Sequence, residues 1–99
     1  MKLNKAISEL IKAFIPLFDS FEQVYLFGSI LKPCVQSNDI DILVIYKKYS
    51  KKLGNDLRLF SEEIEKASGM MVDLTALSIE EEKEVSFLER IKSNFLRLK

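Results

Sequence analysis

The chain has no histidine, a single cysteine and no net charge, and each lack narrows what it can do. Without histidine there is no Ser-His-Asp or Cys-His arrangement, and Cys34 alone makes neither an intrachain disulfide nor a Cys/His zinc site. With 15 basic and 15 acidic residues, no global field selects nucleic acid or an anionic membrane as partner. Long apolar runs are also missing. The longest, from Ile42 to Tyr46, is far short of the ~20 residues that span a bilayer. Glu9 interrupts the amino-terminal segment, so no signal peptide is expected and a cytoplasmic setting is. Chemistry here must run on carboxylates, hydroxyls, lysine and arginine. Within 99 residues, 47% hydrophobic content supports a single domain with one core, spanning 1–99.

Periodicity divides that domain. Leu3, Ile7, Leu10, Ile11, Phe14 and Phe18 recur at three- and four-residue steps, an amphipathic helix that Pro16 ends or kinks before Phe18. Gln23 to Phe27 is β-branched and aromatic, reads as a strand, and stops at Gly28. Pro33 biases Lys32 away from the helical region, so Ser29 to Asn38 is expected to be a loop with at most one helical turn. Asp39 to Tyr46 reads as a central strand covered on both faces. Leu53, Leu57, Phe60, Ile64 and Ala67 mark a second helix whose start Gly54 and Asn55 are expected to delay, with Gly69 as its left-handed cap. Met71 to Leu77 is a third strand. Ser78 and Glu81 form a capping-box pattern that opens a third helix through Val85, Leu88 and Ile91. Phe95 to Leu98 fits either a helix end or an edge strand. The order α-β-β-α-β-α describes an α/β (α+β) domain, a small mixed sheet flanked by helices.

Two stretches carry chemistry. Leu26-Phe27-Gly28-Ser29 delivers a turn without a Cβ at Gly28, followed by a hydroxyl, which suits close approach of phosphate oxygens. Asp39-Ile40-Asp41-Ile42 places two carboxylates on one face of a strand, because strand side chains alternate. Taken singly these are an ordinary turn and a strand opening in solvent. Their conjunction is stronger, and Asp73 adds an acid between Val72 and Leu74 in the third strand, where an unpaired charge is costly to bury. Like charges on one face repel unless a divalent cation lies between them. A metal shared with Asp39 and Asp41 would give Asp73 a partner, although Asp73 taken alone fits equally the outward face of a half-exposed strand.

Phe27-Gly28-Ser29, a nine-residue gap and Asp39-Ile40-Asp41-Ile42 resemble the polymerase-β-like nucleotidyltransferase superfamily, with Asp73 in the place of that family's third acid. By length the chain resembles its minimal members, which often occur beside a helical HEPN-type protein, sometimes as the antitoxin that adenylylates it. The resemblance implies the polymerase-β-like nucleotidyltransferase core and an NTP donor, with ATP foremost. It also implies two Mg²⁺ ions held by Asp39 and Asp41, with Asp73 as a metal ligand on the acceptor side or as the group that takes the acceptor's proton. Gly28 and Ser29 would hold the β- and γ-phosphates and Lys32 would act as a charge clamp. The loop departs from the common minimal pattern at Ile30-Leu31-Lys32-Pro33-Cys34, which lacks its arginine and second glycine. The competing reading is a nucleotidyltransferase-like fold that has lost catalysis and acts by binding alone; modification of an RNA end or a small molecule is a third.

Other features read more plainly. Lys47, Lys48, Lys51 and Lys52, interleaved only by Tyr46 and Tyr49, are read as a solvated face ahead of an RNA contact. Cys34 is read as a packed or incidental thiol. Glu80, Glu81 and Glu82 complement the dipole of a helix first turn. Phe87, Phe95 and Leu96 lie beyond the third helical stripe, as ordinary core or as surface for a partner subunit; homo-oligomerisation is left open.

Overall fold

The computed structural model describes residues 2–27, 39–91 and 95–99. The expected loop with Gly28, Ser29, Lys32 and Cys34 lies outside them. The elements run α1 (Lys2–Phe14), β1 (Gln23–Phe27), β2 (Asp39–Tyr46), α2 (Lys51–Ser68), β3 (Met71–Ser78), α3 (Ile79–Val85), α4 (Phe87–Ile91) and β4 (Phe95–Arg97). A 3-10 turn with Pro16 follows α1, as a residue without a backbone donor requires. The four strands form one mixed sheet in the order β3-β2-β1-β4. β1 pairs antiparallel with β2 and β4, while β2 and β3 run parallel across the α2 crossover.

Strand alternation gives the sheet two different faces. Val24, Leu26, Ile40, Ile42 and Val44 point to one side, where Ile7 and Ile11 of α1 and Leu53, Phe60 and Ile64 of α2 complete the main core. Phe18, Phe21 and Phe60 interlock there with ring centroids 5.1–5.5 Å apart. Tyr25, Leu43 and Ile45 point to the other side and form a smaller core with Leu77, Ile79, Phe87, Leu88 and Phe95. Along this second face of β2, Ile45 and Leu43 are buried, Asp41 is half-buried and Asp39 is exposed. The cover over β2 thus extends along only part of its length, not the whole of it.

Helix ends follow local chemistry. The Ser50 hydroxyl accepts from the Leu53 backbone N–H and starts α2 at Lys51, so Gly54 and Asn55 do not delay the helix. Gly69 ends it at φ 73°. Ser78 and Glu81 make the reciprocal capping box of α3. The expected continuous third helix is broken: Ser86 adopts φ 51°, and α4 begins beyond it. A fourth strand at Phe95 resolves the ambiguous tail and extends the expected order.

Gly54 lies inside α2 with the Tyr49 hydroxyl 2.6 Å from where a Cβ would stand. Tyr49 is exposed and can swing aside. Gly54→Ala is therefore expected to stabilise the protein by up to about 1 kcal/mol through helix propensity, read as a higher urea midpoint at unchanged slope.

Candidate active site

Phe95, Phe27, Asp41 and Asp73 form one row across the sheet, each the register partner of the next. Register partners project to the same face, so Asp41 and Asp73 stand side by side on the half-covered face. Asp39, two residues before Asp41, shares that face, and its own partner on β3 is Met71. The acids thus gather where β1 ends and β2 and β3 begin. Phe27, the last residue of β1, is the register partner of Asp41.

The electrostatics match this placement. Partial burial, then the charges of Asp73 and Asp39, push the Asp41 carboxyl above the ordinary carboxylate range. Among the described residues no ion pair or side-chain hydrogen bond relieves Asp41 or Asp73. No three carboxylate or thiol groups among the described residues are drawn close enough to enclose one ion. Repulsion spreads metal-free carboxylates apart, and Mg²⁺ binds through one or two carboxylates plus phosphate oxygens and water. Asp41 and Asp73, adjacent oxygen donors with no ion pair among the described residues, fit that ion.

A groove of about 240 Å³ opens on the outer side of this cluster, lined by Asp39, Met71, Val72 and Asp73. A larger hollow of about 350 Å³, lined in part by Tyr25, Ile45, Glu82 and Lys83, holds none of the expected site residues. Lys47, Lys48, Lys51 and Lys52 follow the far end of β2, on the order of 20 Å from Asp39 at ~3.3 Å per strand residue. Lys52 there contacts Asp56 at 2.9 Å and Asp19 at 3.2 Å, and Lys47 approaches Glu22 at 3.9 Å. The lysines and the acids therefore do not form one surface. Two site features carry no strong sequence signal: Phe27 as register partner of Asp41, and Met71 beside Asp73. Each becomes visible only when strands are placed in register.

Clustered carboxylates on a mixed sheet, next to the end of an antiparallel strand, are suited to metal-assisted phosphoryl transfer. The family model described as "Polymerase beta, Nucleotidyltransferase" matches residues 9–95, and the chain belongs to that family. No curated protein matches the sequence significantly. Among solved structures, the fold is similar to that in a complex of the tri-AMPylated HEPN toxin of Shewanella oneidensis with its MNT antitoxin. That match has 18% identity and TM-score 0.61, and covers 97% of this chain and 71% of the other. It is also similar to a toxin–antitoxin structure with AMP-PNP, at 19% identity and TM-score 0.63, covering 94% and 72%. A Sulfolobus solfataricus protein matches at 23% identity and TM-score 0.55, covering 97% and 78%. At these identities the likeness is one of fold. Among the described residues, no helix is long and apolar enough to cross a membrane.

Proposed function

We propose that this protein transfers AMP from ATP to a hydroxyl of a helical HEPN-type partner, as the antitoxin of a toxin–antitoxin pair. The observation that carries the reading is the register of Asp41 with Asp73, which puts like charges side by side on one open face. Family membership supplies the reaction class. The AMP-PNP-bound and tri-AMPylated relatives support an adenine nucleotide donor and a HEPN acceptor.

In this mechanism Asp39 and Asp41 would hold Mg²⁺, and Asp73 would be a third ligand or the base for the acceptor. When bound, the metal supplies charge neutralisation for the departing pyrophosphate and acidifies the acceptor hydroxyl. Gly28 and Ser29 would hold the β- and γ-phosphates, with Lys32 as charge clamp. The acceptor oxygen bonds to the α-phosphorus as the bond to pyrophosphate breaks. Where Asp73 is the base, the hydroxyl proton passes to it and then to solvent. The raised affinity of Asp41 for a proton means that metal must compete with protonation there, so activity is expected to fall as pH drops through its raised pKa.

The test uses ATP labelled at the α- or γ-phosphate, Mg²⁺, and the protein encoded by the adjacent reading frame. Label from the α-position alone is expected on the partner, with stoichiometric pyrophosphate. Transfer of the γ-label would mean kinase chemistry and refute the proposal. No transfer to protein, RNA or small alcohols would leave a fold that acts by binding alone.

A further inference from the structure

We infer that the outer edge of β3 is an interface at which a second copy of this chain adds its own β3 antiparallel, so that one sheet runs through both copies. It is independent of the proposed nucleotidyl transfer. In the order β3-β2-β1-β4 the two edge strands are β3 and β4. Natural sheets guard such edges with short strands, lysines, prolines or bulges. β4 is guarded in this way, with three residues ending at Arg97 and Lys99 close behind. β3 is not. It runs eight residues, Met71–Ser78, pairs with β2 without a bulge over that length, and holds no lysine, arginine or proline; Asp73 is its one charge. Val72, Leu74, Ala76 and Leu77 stay only half-buried, although Val72 and Leu74 pack on the main core and Leu77 on the smaller one.

Hydrogen bonds fix which backbone groups face outward. Successive N–H groups of a strand point to opposite sides within the sheet plane, so alternate residues serve β2 and those between them face away. The Val72 N–H donates to the Glu65 carboxylate and the Ser78 N–H to that of Glu81, each at 2.9 Å, so neither serves β2. Leu74 and Ala76 alternate in step with them and also face away. Among the described residues, no side chain or loop backbone bonds the N–H or C=O of either. The edge is thus stoppered at both ends and open over its middle. A second β3 laid antiparallel, with its Ala76 opposite Leu74, satisfies all of these groups and sets Thr75 opposite Thr75 on a two-fold axis. This register is self-complementary, because Asp73 meets Leu77 of the second copy and not its Asp73, and facing threonines are a favoured cross-strand pair. A foreign segment would need an unpaired strand of its own; this chain already carries one that matches. Antiparallel partners share a face, so the acids of both copies open to the same side. The two Asp73 residues then lie on the order of 14 Å apart, from ~3.3 Å per residue along a strand and ~4.8 Å between strands.

The test is sedimentation equilibrium of the protein from about 1 to 100 µM. Wild type is expected to follow a monomer–dimer equilibrium. Ala76→Pro removes an outward N–H and should raise the dimer dissociation constant about tenfold or more, and it should still fold, because that N–H does not serve β2. Thr75→Lys and Thr75→Glu each set like charges against each other on the axis, and each alone should weaken the dimer about fivefold or more. Mixed in equal amounts, these two variants should associate with each other as tightly as wild type, a rescue that a merely destabilised fold does not give. The mixture decides the matter even where Ala76→Pro unfolds. Wild type that stays monomeric over the whole range, including one that pairs β3 only with a different protein, overturns the interface. So does a dimer that the Thr75 variants leave unchanged, or a mixture no tighter than its components.

Discussion

Asp41→Asn is expected to cut nucleotidyl transfer by about 10³-fold or more while making the metal-free protein more stable. The rate loss follows from weakening metal-assisted charge stabilisation worth several kcal/mol, since ~4 kcal/mol corresponds to about three decades in rate. The stability gain has a different origin. Asp41 is half-buried beside Asp73 and Asp39, and its folded-state pKa lies above the ordinary 3.8. A raised folded pKa means that folding favours the protonated acid. The stability contribution of Asp41 is fully present below its unfolded pKa and is lost as pH rises through the raised folded value. The variant has no such loss. The two melting temperatures should therefore diverge as pH climbs from about 4, with the variant higher, and run parallel once Asp41 is ionised in both states. Taking the difference removes groups with the opposite dependence, such as Asp19, whose pKa Lys52 lowers. Mg-ATP should invert the order. At about a hundred times its dissociation constant it stabilises wild type by ~2.7 kcal/mol, on the order of 10 °C for a domain this size, and most of that should vanish in the variant. Equal responses to Mg-ATP, with the variant melting lower in its absence, would make Asp41 a structural residue.

The second large effect lies on the opposite face. Phe60 is fully buried in α2, with ring centroids 5.4 Å from Phe18 and 5.1 Å from Phe21. Phe60→Ala removes a whole ring from between two others and leaves a cavity that the chain fills only in part. A cost of about 3–5 kcal/mol is expected, against a total stability on the order of 5–15 kcal/mol. At roughly 4–8 °C per kcal/mol, the melting temperature should fall by more than about 12 °C. Phe60→Leu should recover much of the loss, because it restores volume without the edge-to-face contacts. A thermal melt of the three proteins measures both effects. A drop of only a few degrees in Phe60→Ala would mean that α2 is not packed on the sheet as described.

Much of this architecture is legible in the residues because local chemistry and tertiary packing agree. Gln23–Phe27 and Asp39–Tyr46 are strands with the bounds that their apolar runs suggest. Gly69 and the Ser78–Glu81 pair cap helices as their residue types favour. The misreadings fall where context wins. Gly54 lowers helix propensity, yet Ser50 supplies the cap and Leu53, Phe60 and Ile64 supply the buried face that holds α2 from its first turn. Ser86 has no glycine signal, but its left-handed φ lets Phe87 and Leu88 turn onto the second face. The convergence of Asp41 and Asp73 was legible only as an expectation, since two strands joined by a helix reveal their register only when paired. Met71 carried no signal, because an exposed methionine at a strand start looks like any other surface residue.

The β4 strand has a consequence for how the chain emerges and folds. Its pairing of Tyr25 with Arg97 joins segments far apart in the sequence, and the backbone N–H groups of Leu98 and Lys99 also bond to the Val24 carbonyl. The β2-α2-β3 unit, by contrast, closes over neighbouring segments. Contacts this distant in sequence form late, because the loop entropy must be overcome first. During synthesis β1 can meet β2 before β4 has emerged, which leaves the outer edge of β1 without its partner. An unpaired strand edge on a nascent chain is a template for misassembly. Truncation before Phe95 should therefore cost soluble yield in vivo more than the three lost strand residues would suggest.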